Sequence, residues 1–202
     1  MTSVEAVTAF TALFVVIDPI GLTPIFVALT AGMSARHRRA IAIRACLIGA
    51  LLLIAFAFLG ESILGFLGIS MPAFRIAGGI LLFLTALEML FEKRTQRREG
   101  QADHPPPDPS VFPLALPLIA GPGAIATMIL LTDQASTLGS VQAIGVMLAV
   151  IAVVFVLFQL ATPMERMLGH TGNNVVTRLL GMLLAALSVQ FVLDGLSDFP
   201  GW

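Results

Sequence analysis

Six long apolar runs, at about residues 6–29, 41–60, 72–91, 111–132, 141–160 and 176–195, alternate with shorter polar connections along this chain. A helix needs roughly 20 residues to cross about 30 Å of hydrocarbon. Each run is long enough to do so. The pattern predicts an all-α polytopic membrane protein with six transmembrane helices.

The charge distribution supports this reading. Apolar residues make up 57 % and charged residues 11 % of the 202, against about 45–50 % and about 25 % in an ordinary soluble domain. Of the 23 charged side chains, only Asp18, Arg44, Arg75, Glu88, Arg178 and Asp194 fall inside the runs. All but Asp18 lie within four residues of a run's end, where a side chain reaches the headgroups. Asp18 alone sits mid-membrane. The net charge of −1 gives no reason to expect a nucleic-acid partner. The single cysteine, Cys46, excludes a disulfide framework. The three histidines, His37, His104 and His170, lie in polar stretches and offer no haem-ligating pair. No cofactor and no metal site is expected, and the bilayer is the surrounding partner.

No Lys or Arg precedes Arg36, so the first run lacks the basic start of a cleaved signal peptide and is expected to remain as span 1. Lys and Arg also set the orientation. Arg36, Arg38, Arg39, Arg44, Lys93, Arg94, Arg97, Arg98, Arg166 and Arg178 follow spans 1, 3 and 5, and Arg75 alone lies opposite. This places those three connections in the cytoplasm and both termini outside. The connection at 92–110 is charged and then rich in proline (Pro105-Pro106-Pro107-Asp108-Pro109), which predicts a flexible linker. It divides the chain into 1–91 and 111–202, three spans each.

The halves show an internal likeness. At an ungapped offset of 103, Pro19 falls on Pro122, Ala40-Ile41 on Ala143-Ile144, Arg75 on Arg178, Gly78 on Gly181 and Leu84 on Leu187. An odd number of spans per unit would send the second copy through the membrane in the opposite sense. The expected arrangement is two inverted three-helix repeats, an architecture typical of secondary transporters.

Spans 1 and 4 carry equivalent interruptions. Span 1 reads Ile17-Asp18-Pro19-Ile20-Gly21-Leu22-Thr23-Pro24, and span 4 has Pro113 and then Pro117-Leu118-Ile119-Ala120-Gly121-Pro122-Gly123-Ala124. Proline removes a donor and clashes with the preceding turn, and glycine adds freedom. Both helices are expected to unwind near the bilayer centre, where irregular backbone is tolerated only if buried or lining a cavity. Helix starts there offer N–H groups to an anion, and helix ends offer carbonyls to a cation. With one acid, such a site suits a small zwitterion. The candidate substrate-binding residues are Asp18, Pro19, Gly21, Thr23, Pro24, Gly121, Pro122, Gly123 and Thr127. Asp18 could instead simply cap the helix beginning at Pro19. A mid-membrane acid costs about 2.5–3.5 kcal/mol on insertion scales, whereas a cap returns about 1 kcal/mol, which favours a role in binding.

Other in-span polar residues have structural readings. Thr23, Thr127, Gln159, Ser188 and Gln190 suit interhelical hydrogen bonds, and Gly78, Gly79 and Gly181 suit close packing. Arg75 and Arg178 suit snorkelling, and Asn173-Asn174 suit the cap of span 6.

At Asp18-Pro19-Ile20-Gly21 with Pro24 and Phe26, at Pro117 to Ile125 and at Phe74 to Leu81, the chain resembles the MarC family of bacterial inner-membrane proteins. That family is also classed as a neutral amino acid transporter family. The resemblance implies six spans in the inner membrane and movement of small neutral amino acids, coupled to an ion such as H+ or Na+. The expected function is alternating-access transport of such amino acids or similar small metabolites. A cation or metal-ion permease and a non-transporting accessory subunit are the alternatives. No catalytic motif is present, and an enzyme is not expected.

Overall fold

The computed structural model describes residues 2–91, 108–132 and 137–198. Most of the linker at 92–110, with Lys93, Arg94, Arg97 and Arg98, lies outside them. The side chains of 137–138, 162–170 and 173, including Arg166, are also outside the described set. The described chain is all-helical: α1 (Ser3–Ile17), α2 (Pro19–Leu29), α3 (Ala35–Phe66), α4 (Met71–Leu90), α5 (Ser110–Ile119), α6 (Pro122–Thr132), α7 (Thr137–Gln159) and α8 (Ala161–Ser197). Five helical segments are long and apolar enough to cross a membrane, and the bent pair α5–α6 makes a sixth if it is counted as one span. Five of the six expected spans are single apolar stretches of helix, and the fourth corresponds to the bent pair.

Local chemistry sets the helix ends. Thr2 and Glu5 cap α1 reciprocally, and Ser34 and Ser70 accept from the amides of His37 and Ala73 to start α3 and α4. These caps satisfy amides that have no intrahelical partner. Gly32 (φ 73°) and Gly68 (φ 70°) close the turns after α2 and α3 in the left-handed region, which costs glycine little.

Two helices exceed the hydrocarbon thickness. The 32 residues of α3 and 37 of α8 correspond to about 48 and 55 Å at 1.5 Å per residue. The connection between spans 5 and 6, expected as a loop, is therefore largely helix, and only Leu160 separates α7 from α8. Asn174 lies inside α8, so the expected cap at Asn173-Asn174 is corrected: the helix starts at Ala161.

The broken spans form the centre. In the α1–α2 span 72 % of the apolar window is buried, against 28 % for α4 and 22 % for α8. Leu47, Leu51, Phe58, Leu84, Leu148, Leu179 and Leu183 are exposed on the surrounding helices, as lipid-facing positions should be. The most extensive packing crosses between the halves: α4 on α8, α3 on α5, α6 and α7, α8 on α2, and α7 on α1 and α2. Exchanging the halves turns α3–α5 into α7–α1, α3–α6 into α7–α2 and α2–α8 into α6–α4, and returns α4–α8 and α3–α7 to themselves.

The α4–α8 contact is nearly backbone to backbone. A Cβ on Gly79 would lie 2.8 Å from Ser188 O, and one on Gly195 would lie 3.0 Å from Pro72 O. One on Gly181 would lie 3.0 Å from Met89 Cβ. Gly78, the offset partner of Gly181, faces Ala126 and Leu130 of α6 instead. In this contact the counterpart of Gly181 is Gly79, one residue away from the offset of 103. Arg75, expected to snorkel, forms an ion pair with Asp198 across the ends of α4 and α8.

Candidate functional site

Asp18 joins two helices. Its backbone is left-handed (φ 59°, ψ 64°), its N–H donates to Phe14 O at 2.9 Å to close α1, and Oδ1 accepts from the Gly21 N–H at 3.0 Å to open α2. Pro19 follows at the first helical position, where its missing N–H costs nothing. The side chain is 1 % exposed. The capping reading of Asp18 is therefore observed. Gly21 is required by the same geometry, since a Cβ there would sit 2.1 Å from Asp18 Oδ2.

The two interruptions differ. Span 1 was expected to unwind, but its break is a single residue, and α2 runs as helix through Pro24. The cap explains this correction: it supplies at once the partner that an unwound stretch would have to find. Span 4 is the more irregular. Phe112 and Leu116 leave helical geometry, the peptide bonds preceding Pro113 and Pro117 are cis, and α5 meets α6 at 55°. A Cβ on Gly121 would lie 2.5 Å from Pro117 O, so the carbonyl approaches because glycine has no side chain.

The breaks meet in space. Gly123, in the first turn of α6, would place a Cβ 3.1 Å from Val16 Cγ1 near the end of α1 and 3.1 Å from Leu82 Cδ2 of α4. Thus the start of α6 adjoins the end of α1, two residues from Asp18. In α6, Ile125 N–H donates to Gly121 O at 2.9 Å, and the amides of Gly123 and Ala124 precede that bond. Both second half-helices start with proline and contain 11 residues, at Pro19 and Pro122.

The interhelical hydrogen bonds expected of Thr23 and Thr127 are not the ones they make. Their hydroxyls donate within their own helices, to Pro19 O at 3.0 Å and Gly123 O at 2.8 Å. Ser188 and Gln190 likewise bond within α8, to Ala185 O and Asp194 Oδ1. Thr132 also reaches between helices: its hydroxyl lies 3.1 Å from Ala57 O of α3, beside Met128 O at 2.9 Å and Ile129 O at 3.2 Å in its own helix. Its position, the last residue of α6, gave no sequence signal that distinguished it from Thr23.

Three cavities are described. One of about 400 Å³ lies between α3, α4 and α6, is lined by Phe56, Gly60, Phe74, Leu81, Ile125 and Ile129, and reaches the break at Pro122. The others flank α1 beside α7 and beside α8. None of the three is lined by Asp18. Among the described residues, no three His, Cys, Asp or Glu side chains gather as metal ligands. At the start of α5, the Ser110 side chain and N–H hold the Asp108 carboxyl below its ordinary value despite some opposing desolvation, with Arg44 and His37 adding attraction.

Comparison with known proteins places this architecture in a family. Residues 4–199 match the family described as MarC family integral membrane protein. The chain is 39 % identical over 197 residues to a UPF0056 membrane protein of Archaeoglobus fulgidus, covering 94 % of this chain and 91 % of the relative. It is 38 % identical over 198 residues to the UPF0056 membrane protein YvbG of Bacillus subtilis, covering 95 % and 94 %. It is 35 % identical over 192 residues to the UPF0056 inner membrane protein YhgN of Escherichia coli, covering 95 % and 96 %. No solved structure matches. The chain, with its apolar membrane-spanning helices and two interrupted central segments, belongs to the MarC family of integral membrane proteins.

Proposed function

We propose that this protein is a secondary transporter, not an enzyme, which moves small neutral amino acids or similar small metabolites across the inner membrane by alternating access. The observation that carries the reading is the meeting of the two interrupted central spans beside the buried Asp18. Non-continuous helices at mid-membrane are the usual binding element of such transporters, and an intramembrane acid is expensive unless it is used. In this reading the substrate carboxylate meets the amides of Gly123 and Ala124 at the start of α6, and the ammonium meets Asp18. A carboxylate has two oxygens with about four acceptor sites, so capping Gly21 and binding an ammonium are compatible. Pro19, Pro24, Gly121 and Pro122 shape the backbone, and Thr23 and Thr127 support their helices.

The inverted-repeat architecture belongs to the same proposal. Its support is the equal length of α2 and α6, their shared proline start and the correspondence of the α3–α5 and α3–α6 pairings with α7–α1 and α7–α2. An inner-membrane location with both termini outside is supported by the one-sided Lys and Arg distribution and by the inner-membrane relative in Escherichia coli. Purified protein in liposomes, offered labelled neutral amino acids under a proton or sodium gradient, tests the function. Uptake above empty vesicles is expected for at least one small neutral amino acid. Uptake equal to empty vesicles for all of them, under either gradient, rejects it.

A further inference from the structure

The end of α2 is closed by an aromatic contact that the proposed site does not use. Phe26 of α2 and Phe158 of α7 stack with ring centres 4.3 Å apart and planes 6° apart, at 1 % and 2 % exposure. The guanidinium carbon of Arg38, in the first turn of α3, lies 5.6 Å from the centre of the Phe26 ring. Parallel aromatic stacking and a cation over the ring both hold the pair together.

Three features give this contact a direction. Asp18, Leu22 and Phe26 follow at intervals of four and so share one face of α2, and Leu22 between them is fully buried. The stack therefore lies in line with Asp18, toward the end where Arg36, Arg38 and Arg39 gather. At the offset of 103, the counterparts of Leu22 and Phe26 are Ile125 and Ile129. Both line the cavity of about 400 Å³ between α3, α4 and α6. One end thus has a stacked pair where the other has space. Finally, α2 is bracketed by left-handed residues, Asp18 (φ 59°) and Gly32 (φ 73°), so rotation at two points would move it as a unit.

We propose that Phe26 and Phe158, with Arg38 over the ring, form the gate that closes the site toward the basic side of the membrane, and that α2 swings on Asp18 and Gly32 to open it. This deepens the transporter reading, but its test needs no substrate. The one native cysteine, Cys46, is buried and is removed as Cys46→Ala. Leu22→Cys then reports access behind the gate to a membrane-impermeant maleimide. In inside-out vesicles, labelling is expected to be slow with the native pair and about ten-fold faster with Phe26→Ala or Phe158→Leu, from the loss of stacking and cation–π attraction. Phe158→Tyr keeps the stack and is expected to stay slow. In right-side-out vesicles the rate should change less than about two-fold.

Phe158→Leu retains apolar bulk, so it decides the matter even where Phe26→Ala fails to accumulate. An unchanged rate in Phe158→Leu, or an equal rise from both faces, overturns the gate. Faster labelling without amino acid uptake rejects the substrate reading and leaves the gate. Uptake with unchanged labelling does the reverse.

Discussion

Asp18 terminates one helix and starts the next with a single residue, using its N–H for α1 and its carboxylate for α2. Substitutions can separate this structural role from its charge. Asn caps about as well as Asp and tolerates the left-handed region. Asp18→Asn should therefore unfold in detergent within a few degrees of the native protein, yet abolish amino acid uptake. Asp18→Ala removes the cap, at about 1 kcal/mol, and places alanine in the left-handed region, at about 1–2 kcal/mol more. It should lower the unfolding temperature as well as uptake. Native uptake in Asp18→Asn would reduce the residue to a cap. The sequence made both roles visible, because Asp before Pro is a helix-start signal and an acid in an apolar run is anomalous. The left-handed backbone was not legible, since it arises from how closely two helices are made to follow each other.

At the scale of elements, α4 and α8 depend on glycines whose missing side chains set the helix separation. Gly79→Ala would push a methyl group to 2.8 Å from the Ser188 carbonyl, and backbone cannot move aside as a side chain can. Overpacking of this kind costs about 1–3 kcal/mol. Gly145 on α7 has open space around it, so Gly145→Ala should be neutral or stabilise by up to about 1 kcal/mol through helix propensity. Thermal unfolding of the two variants side by side checks this. A similar loss in both would show that glycine flexibility, rather than close approach, is what matters. The sequence showed where spans lie because hydrocarbon thickness imposes a length on apolar runs. It did not show that Gly79 rather than Gly78 faces α8. A difference of one residue rotates a helix position by about 100°, at 3.6 residues per turn, and only the packed partner fixes which face is used. Nor did it show that α8 continues through Asn174, because a polar stretch at the membrane surface can be loop or helix.

At the scale of the molecule, the interrupted spans are central and the continuous ones surround them. The basic residues predict the direction of insertion. A phosphatase fused after residue 202 should be active, as it is only outside the cytoplasm, and one fused after residue 100 should be inactive. The opposite result would invert the orientation and place the Phe26–Phe158 stack on the outer side. The sequence by itself determined the membrane class, the six spans, the two interruptions and the asymmetry of charge. These follow from solvation and chain chemistry acting residue by residue, without reference to distant neighbours. The tertiary structure alone decided that the interruptions meet at Gly123 and Val16 and that Thr23 and Thr127 bond within their own helices. It alone decided that an aromatic stack closes one end of α2 while a cavity lies at the corresponding position of α6. Each depends on which helix faces are brought together across the two halves, and apolar helices in an apolar solvent leave that choice to packing.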